Sequence, residues 1–210
     1  MITQTFFILA TIRIITIMKV ENDIVKLISR FLTLNDEESK AFMECIPIKN
    51  FKKGELLLKE GQVSRDSYFV IEGCVRKYYI IDGEERTTEF YVEDESIASL
   101  QSYKNKTPAN HYFECVEDCR LAVLNFEKEQ ELFRRVPKYE SLCRMTMEND
   151  FGDQQETLSQ FITSNPEKRY KTLLESRPDL IQRVPQYYLA SYLGVKPESL
   201  SRIRKRIAKK

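Results

Sequence analysis

The stretch from Gln186 to Lys205, QYYLASYLGVKPESLSRIRK, constrains the fold of this chain more than any other segment. It reads as two short helices joined by a tight turn at Gly194. Two helices that cross steeply at close range need a small contact residue, here Ala190, and a turn residue that tolerates positive φ. The stretch therefore predicts a helix-turn-helix. The apolar positions that would seat it on a core are Leu189, Leu193, Val195, Leu200 and Ile203.

The second helix of this pair has its own start signal and one apolar face. Pro197 suits a first helical turn, and Glu198 favours the positive end of the helix dipole. Leu200, Ile203 and Ile207 recur at spacings of three and four, so the polar side chains point away from the core. We interpret this polar face as a DNA-contacting surface. It comprises Lys196, Pro197, Glu198, Ser199, Ser201, Arg202, Arg204, Lys205 and Arg206.

Within that surface, Glu198 and Arg202 are predicted to read base edges. The side chains predicted to hold phosphates are those of Lys196, Ser199, Ser201, Arg204, Lys205 and Arg206. The alternative is a solvated helix carrying one weak ion pair between Glu198 and Arg202, which lie four positions apart.

Charge is distributed unevenly along the chain. The segment from Lys196 to Lys210 has seven lysines and arginines and one acid, whereas the whole chain carries +1, so the remainder carries −5. A compact basic terminus on an acidic body is typical of phosphate binding. A disordered basic tail is the alternative, but the apolar period inside the segment argues against it.

Composition narrows the class of protein. With 210 residues, 42% apolar and 31% charged, the chain is typical of a globular cytoplasmic protein of two small domains. Its odd number of cysteines predicts free thiols rather than a disulfide framework, and one histidine without a CxxC pair predicts no zinc or other metal site. No nucleophile with a base and no phosphate loop is visible, so we expect neither an enzyme nor a cofactor. The cysteines are Cys45, Cys74, Cys115, Cys119 and Cys143.

Residues 1–18 form a doubtful N-terminal extension. Phe6 to Ile17 is mostly apolar, but polar residues interrupt it and it is too short to span a bilayer. It also lacks the basic start and cleavage site of a signal peptide. We expect translation to begin at Met18 and no membrane association. The preceding segment is then either an artefact of start assignment or a poorly packed tail.

Residues 19–136 change from helical to β-rich texture. Val20 to Met43 predicts helices, with Asn35 as a cap where a second helix restarts. After Pro47, glycines punctuate short β-rich runs, which is typical of a jelly roll or a similar all-β barrel. The predicted strands are Glu55 to Lys59, Ser67 to Ile71, Val75 to Ile81, Arg86 to Tyr91 and Tyr112 to Leu124.

Residues 137–164 return to a helical pattern. Successive seam residues lie 4, 3, 4 and 3 positions apart, which is the spacing of a two-stranded coiled coil, although Gly152 weakens the helix. A buried core helix is the alternative. The position of this helix between the β-rich part and the helix-turn-helix favours a homodimer interface. The seam residues are Met147, Phe151, Gln154, Leu158 and Phe161.

Residues 165–210 would form the DNA-binding domain. Asn165 and Pro166 give a helix-start signal, and the helix through about Ser176 is expected to bury Tyr170, Leu173 and Leu174 before Pro178 stops it.

The stretch from Lys52 to Glu85, KKGELLLKEGQVSRDSYFVIEGCVRKYYIIDGEE, resembles the β-roll of cyclic-nucleotide-binding domains. Together with the C-terminal motif, it makes the chain similar to the Crp/Fnr (catabolite activator) family of bacterial transcription regulators. The resemblance implies an α+β fold with an N-terminal β-roll (jelly-roll) sensor, a long dimerisation helix and a C-terminal (winged) helix-turn-helix domain. It also implies a palindromic DNA operator, a homodimer and RNA polymerase as partners.

The same resemblance argues against a cyclic nucleotide as the ligand. Members that bind cyclic nucleotide have a glutamate for the ribose and an arginine for the cyclic phosphate, where this chain has Ser99 and Ala109. A buried phosphate without a guanidinium is costly, so we expect no binding of cyclic AMP or cyclic GMP and either an unknown effector or none. His111 is expected to be structural, and contact with a different ligand is the alternative. The alternative function is a small-molecule sensor that acts mainly through a protein partner.

Overall fold

The computed structural model describes residues 23–208, so the predicted extension at residues 1–18 and the last two lysines lie outside the described residues. The helices are α1 (23–29), α2 (Asp36–Cys45), α3 (Leu100–Asn105), α4 (Phe126–Arg135), α5 (Pro137–Thr163), α6 (Pro166–Ser176), α7 (Pro178–Arg183), α8 (Gln186–Tyr192) and α9 (Pro197–Ile207). The strands are β1 (Ile48–Phe51), β2 (Leu56–Leu58), β3 (Asp66–Glu72), β4 (Val75–Ile81), β5 (Glu84–Tyr91), β6 (Ser96–Ile97), β7 (Tyr112–Cys115) and β8 (Cys119–Asn125).

The strands form two antiparallel four-stranded sheets, in the orders β1-β8-β3-β6 and β2-β7-β4-β5. We call this pair of sheets the roll. Its inner side chains, including Val70, Val75, Phe113 and Leu121, are almost completely buried between the sheets. A second cluster, centred on Phe42, joins α1, α2 and α4 to the roll. The β-roll predicted from the glycine-punctuated strands is therefore present.

One predicted strand was wrong. The run from Tyr112 to Leu124 is two strands, because β7 pairs with β2 and β4 in one sheet and β8 pairs with β1 and β3 in the other. The chain crosses between the sheets at 116–118, a change of partner that an unbroken β-rich run does not reveal. Three short helices, α3, α4 and α7, and the strands β1 and β6 were also not predicted.

Local capping chemistry behaves as expected. The Asn35 side chain accepts from the Glu38 backbone N–H at 2.8 Å, and the Glu38 carboxylate accepts from the Asn35 N–H at 2.8 Å, which is a capping box. Asn165 accepts from the Lys168 N–H at 2.9 Å and begins α6 with Pro166 in its first turn. Pro178 follows the end of α6 but begins α7, so it starts a helix as well as stopping one.

The C-terminal part is helical from α6 to α9, and no strand that could form a wing occurs between residues 165 and 208. Tyr170 and Leu173 are buried, as predicted, but Leu174 is 41% exposed. The prediction for Leu174 was wrong because adjacent helical positions point about 100° apart, and only one side of α6 meets the core.

This helical part packs against the roll of the same chain. Cys74, Phe90 and Val116 from the roll share one buried cluster with Leu180 of α7 and Leu189 of α8. Strand β5 makes the contact with α8: the Ser191 hydroxyl donates to the Glu85 carbonyl at 2.9 Å and accepts from the Thr87 N–H at 2.9 Å. The two parts therefore share a core.

Candidate nucleic-acid interface

Helix α9 buries one face and exposes the other. Leu200 and Ile203 are buried in the cluster that also holds Leu189 and Ala190 of α8. Ala190 has no exposed surface, which is what a close crossing of the two helices requires. Val195, also predicted to seat the motif, is partly buried against the same cluster.

The turn between the two helices has the conformation that the sequence predicts. Gly194 has φ +68°, and its N–H donates to the Ser191 carbonyl at 3.0 Å. The Val195 N–H donates to the Ala190 carbonyl at 2.9 Å. These bonds satisfy carbonyls at the end of α8 and reverse the chain into α9.

The nine residues predicted to contact DNA all lie on or at the start of α9. Pro197 is the first residue of the helix, and Ser201 and Arg204 are partly buried. The others are exposed: Lys196, Pro197, Glu198, Ser199, Arg202, Lys205 and Arg206.

Ion pairing leaves most of these charges available to a ligand. In the described part of the chain no ion pair joins Glu198 to Arg202, which is the contact that the solvated-helix alternative required. Arg206 is engaged, because its guanidinium lies 2.5 Å from the Glu167 carboxylate of α6. The outward face of α9 is thus polar, basic and largely open to solvent.

Ionic contacts hold this motif against the roll. The Arg183 guanidinium, at the end of α7, donates twice to the Glu93 carboxylate at 2.8 Å and also to Glu117 at 2.5 and 3.1 Å. We call these three residues the Arg183 clamp. Hydrogen bonding from Arg183 lowers the pKa of Glu93 to about 2. No local sequence pattern indicates this clamp, because Arg183 lies 66 positions from Glu117 and 90 positions from Glu93.

A second arginine, Arg177, donates to the Phe90 carbonyl at 3.1 Å and lies 3.1 Å from the Glu95 carboxylate. Burial raises the pKa of that carboxyl group. A third, Arg76 of β4, is 1% exposed and stacks on the Tyr188 ring of α8 at 3.5 Å. All three arginines join the helical part to the roll.

The inner face of the roll carries two charged side chains, whereas a pocket for an apolar ligand would be lined by apolar ones. Lys77 and Glu89 are paired across β4 and β5, with the ammonium 2.9 Å from the carboxylate, and the Tyr91 hydroxyl donates to the same carboxylate. They share this face with Val75 and Phe113, which the register places beside Tyr91 and Lys77. The pair therefore points into the space between the sheets.

His111 lies next to this pair and is 6% exposed, with its ring 5.0 Å from the Phe113 ring. Its Nδ1 lies 3.1 Å from the Asn110 amide oxygen, whereas Nε2 has no hydrogen-bond partner among the described residues. Burial lowers the pKa of His111 to about 4, so the imidazole is neutral at pH 7.

The two positions that replace nucleotide-binding residues are both buried. Ser99 is 5% exposed and immediately precedes α3, and Ala109 is 6% exposed in the roll core. Neither supplies a charge to the roll interior.

Other site chemistry is sparse. No group of three or more potential metal-ligating side chains clusters between residues 23 and 208. All five cysteines have free thiols, and burial raises the pKa of Cys74 to about 12. Within the same residues, no helix is both long enough and apolar enough to cross a bilayer.

The predicted dimer seam is exposed on the single chain. Helix α5 has no buried residue along its 27 positions. The seam residues Met147, Phe151, Leu158 and Phe161 are 46%, 62%, 60% and 44% exposed, and Gln154 is exposed as well.

Comparisons with known proteins agree with this architecture. Residues 48–136 match the cyclic nucleotide-binding domain family. The fumarate and nitrate reduction regulatory protein of Vibrio cholerae is 23% identical over 84% of this chain and 75% of its own length. The transcriptional activator protein Anr of Pseudomonas protegens is 23% identical over 82% of this chain and 75% of its own length. Over most of its length the chain is similar to regulators of the Crp/Fnr family.

Solved structures confirm the fold class of the chain. The c-di-GMP-responsive global regulator CLP of Xanthomonas campestris superposes with a TM-score of 0.66 at 17% identity, covering 83% of this chain and 92% of that one. FixK2 of Bradyrhizobium japonicum gives 0.65 at 14% identity, covering 78% and 85%. The likeness to these regulators, together with the cyclic-nucleotide-binding-like domain, indicates a transcription regulator rather than an enzyme.

Proposed function

We propose that this regulator is a homodimer that binds a palindromic DNA site through α9. One observation carries the proposal: α9 buries Leu200 and Ile203 while Glu198 and Arg202 face solvent on a basic surface. A helix of this kind fits the major groove, where base edges present distinct donor and acceptor patterns.

The residues divide by role. Arg202 can bond both acceptors on a guanine edge, and Glu198 can accept from a cytosine amino group. The remaining polar residues would hold phosphates and set the register, with Arg206 contributing less because Glu167 already neutralises it. The phosphate-holding residues are Lys196, Ser199, Ser201, Arg204 and Lys205.

Selection of bound fragments from random duplex DNA tests this proposal, followed by gel-shift competition on the selected site. We expect Arg202→Ala to weaken binding by about 1 to 3 kcal/mol and to relax preference at one base pair per half-site. Lys205→Ala should weaken binding to all sequences alike and lower the salt slope by about 1.

Lys49→Ala is the matched control, because Lys49 is exposed on β1 of the roll and its loss changes the net charge equally. Unchanged base preference in Arg202→Ala would show that Arg202 does not read a base. Equal salt slopes for Lys205→Ala and Lys49→Ala would show that Lys205 does not contact a phosphate.

The dimer in this proposal forms along α5. An open groove of about 1470 Å³ runs between the roll and α5, and its lining includes Phe90, Tyr91, Phe151 and Leu158. Contiguous exposed apolar stripes such as the α5 seam are uncommon on monomers, and a second copy of α5 would cover this one. Pairing would set the two copies of α9 about one DNA turn apart, roughly 34 Å.

Light scattering of the purified protein tests the dimer. We expect Phe151→Glu to shift the molar mass from two chains to one, because it places a charge in the seam. Met145→Glu is the control: Met145 is 55% exposed but lies two positions from Met147 and so faces another direction. A dimer that survives Phe151→Glu and dissociates with Met145→Glu would place the interface elsewhere.

We propose further that the roll binds neither cyclic AMP nor cyclic GMP. The inner face supplies Glu89, whose carboxylate would repel a cyclic phosphate, and Lys77 beside it is already paired with that carboxylate. Ser99 and Ala109 add no compensating charge. Titration calorimetry with each nucleotide should give no heat of binding, and micromolar affinity for either would contradict this proposal.

RNA polymerase and an unidentified effector complete the proposal. Support for the polymerase is indirect: a similar protein, Anr of Pseudomonas protegens, is named a transcriptional activator. Footprinting of polymerase on a promoter that carries the selected site should show an extended protected region with the regulator present. If the polymerase and the regulator gave two separate footprints and neither strengthened the other, direct contact between the two proteins would be excluded.

A further inference from the structure

Arg169 of α6 binds the ends of two other helices at once. Its Nη1 donates to the carbonyls of Phe161 at 3.1 Å and Ser164 at 2.7 Å, at the end of α5. Its Nε and Nη2 donate to the Leu193 carbonyl at 3.2 and 2.9 Å, at the end of α8. One planar guanidinium therefore joins the last turn of α5 to the turn of the helix-turn-helix.

These carbonyls need partners. The last carbonyls of a helix have no intrahelical donor and carry the negative end of the helix dipole, so a cation that donates to them is favourable. Arginine suits the task because its donors point in fixed directions within one plane. A lysine could neutralise one helix end, but its single ammonium could not hold two ends at a set separation.

Side-chain packing also joins the end of α5 to the turn of the helix-turn-helix. The Phe161 ring lies beneath the guanidinium, 4.4 Å from its central carbon. The ring also reaches the turn, because a Cβ added at Gly194 would lie 3.2 Å from the tip of the Phe161 ring. Phe161, predicted for the dimer seam, thus also contacts the helix-turn-helix of its own chain.

We propose that Arg169 is a positioning residue that fixes the helix-turn-helix turn relative to the end of α5. The inference rests on the proposed function in one respect: if α5 forms the dimer and α9 enters DNA, Arg169 sets the separation and angle of the two α9 helices. It does not touch DNA itself. Its loss should therefore change which half-site spacing is accepted and leave the bases preferred within each half-site unchanged.

The selected palindrome and versions with one base pair added or removed between the half-sites provide the test. One base pair rotates the second half-site by about 35° and moves it by about 3.4 Å, so the wild-type dimer should lose roughly tenfold or more in affinity. For Arg169→Gln we expect that penalty to fall to about twofold. Lys168→Gln is the control, because it removes the same charge from the adjacent position of α6, where the ammonium makes no ion pair or hydrogen bond among the described residues.

Hydrogen exchange without DNA gives an independent measurement. In Arg169→Gln, the amides of Ser164 and Val195 should exchange about tenfold faster, whereas Lys168→Gln should leave both rates within about twofold. Arg169→Lys should restore charge but neither the slow exchange nor the spacing selectivity. A role in general stability alone would instead accelerate exchange across the whole roll.

Each outcome has a distinct meaning. If the wild type selects no DNA but both amides respond to Arg169→Gln, the proposed function fails and the positioning role of Arg169 stands. If the wild type selects a palindrome and Arg169→Gln keeps the full spacing penalty with unchanged exchange, the proposed function stands and the positioning role is refuted.

Discussion

Breaking the Arg183 clamp should loosen the helix-turn-helix from the roll. Arg183→Gln removes the charge and leaves Glu93 and Glu117, two carboxylates that the guanidinium now bridges, without their common partner. Like charges left close together repel each other, so the change removes an attraction and adds a repulsion.

The pKa of Glu93 sets the size of the expected decrease in the free energy of unfolding. Its fall from an ordinary 4.5 to about 2 corresponds to about 3 kcal/mol at full strength. Because the Glu93 side chain is 40% exposed, solvent screening reduces this, and we expect Arg183→Gln to lower the free energy of unfolding by about 1.5 to 2 kcal/mol at pH 7.

Urea unfolding followed by circular dichroism measures the change, and a double-mutant cycle with Glu93→Gln isolates the pair. Glutamine at position 93 retains an oxygen that can accept from the Gly73 N–H, which now donates to Glu93 at 2.8 Å. The coupling energy should be about 1 kcal/mol. Arg86→Gln is the control: Arg86 pairs with the exposed Glu84, so this substitution should cost less than about 0.5 kcal/mol.

The pH dependence has a definite sign. The pKa of Glu93 is lower in the folded than in the unfolded protein, so the clamp contributes fully above about pH 4.5 and loses its contribution as the pH falls towards 2. The difference between wild type and Arg183→Gln should shrink over that window. A constant difference from pH 7 to pH 3, or no measurable coupling in the cycle, would refute the reasoning.

Three further predictions concern the roll, each measured as a free energy of unfolding. Gly73→Ala should cost at least 2 kcal/mol, because φ is +110° and the new Cβ would lie 2.8 Å from the Cys119 Cα; less than about 1 kcal/mol would contradict this. Arg76→Met should cost about 3 kcal/mol, because Glu114 would lose its buried partner at 2.5 Å; a neutral result would show that packing on the flanking tyrosines suffices. The wild type should lose stability as the pH falls from about 6.5 to 4, because in that range the unfolded chain binds a proton that the folded imidazole, with its pKa of about 4, does not. His111→Leu should abolish this loss, and identical pH profiles of the two proteins would rule this out.

The parts that the sequence predicted well depend on neighbours in the chain. The caps at Asn35 and Asn165, the turn at Gly194 and the apolar face of α9 follow from contacts within a few positions. The order of the domains was implied by the resemblance of the stretch between Lys52 and Glu85, together with the C-terminal motif, to a known family, and strands β2 to β4 do lie in that stretch.

The parts that it missed depend on contacts between distant positions. Nothing near Arg183 indicates that Glu93 and Glu117 lie opposite it, and nothing near Tyr112 shows that the chain changes sheets before Cys119. By itself the sequence determined a basic helix-turn-helix behind a β-roll, because helical and strand periods are local properties. Only the tertiary structure decided how that motif is held against the roll and which residue joins it to α5, because such contacts appear only when separate segments of the chain pack together.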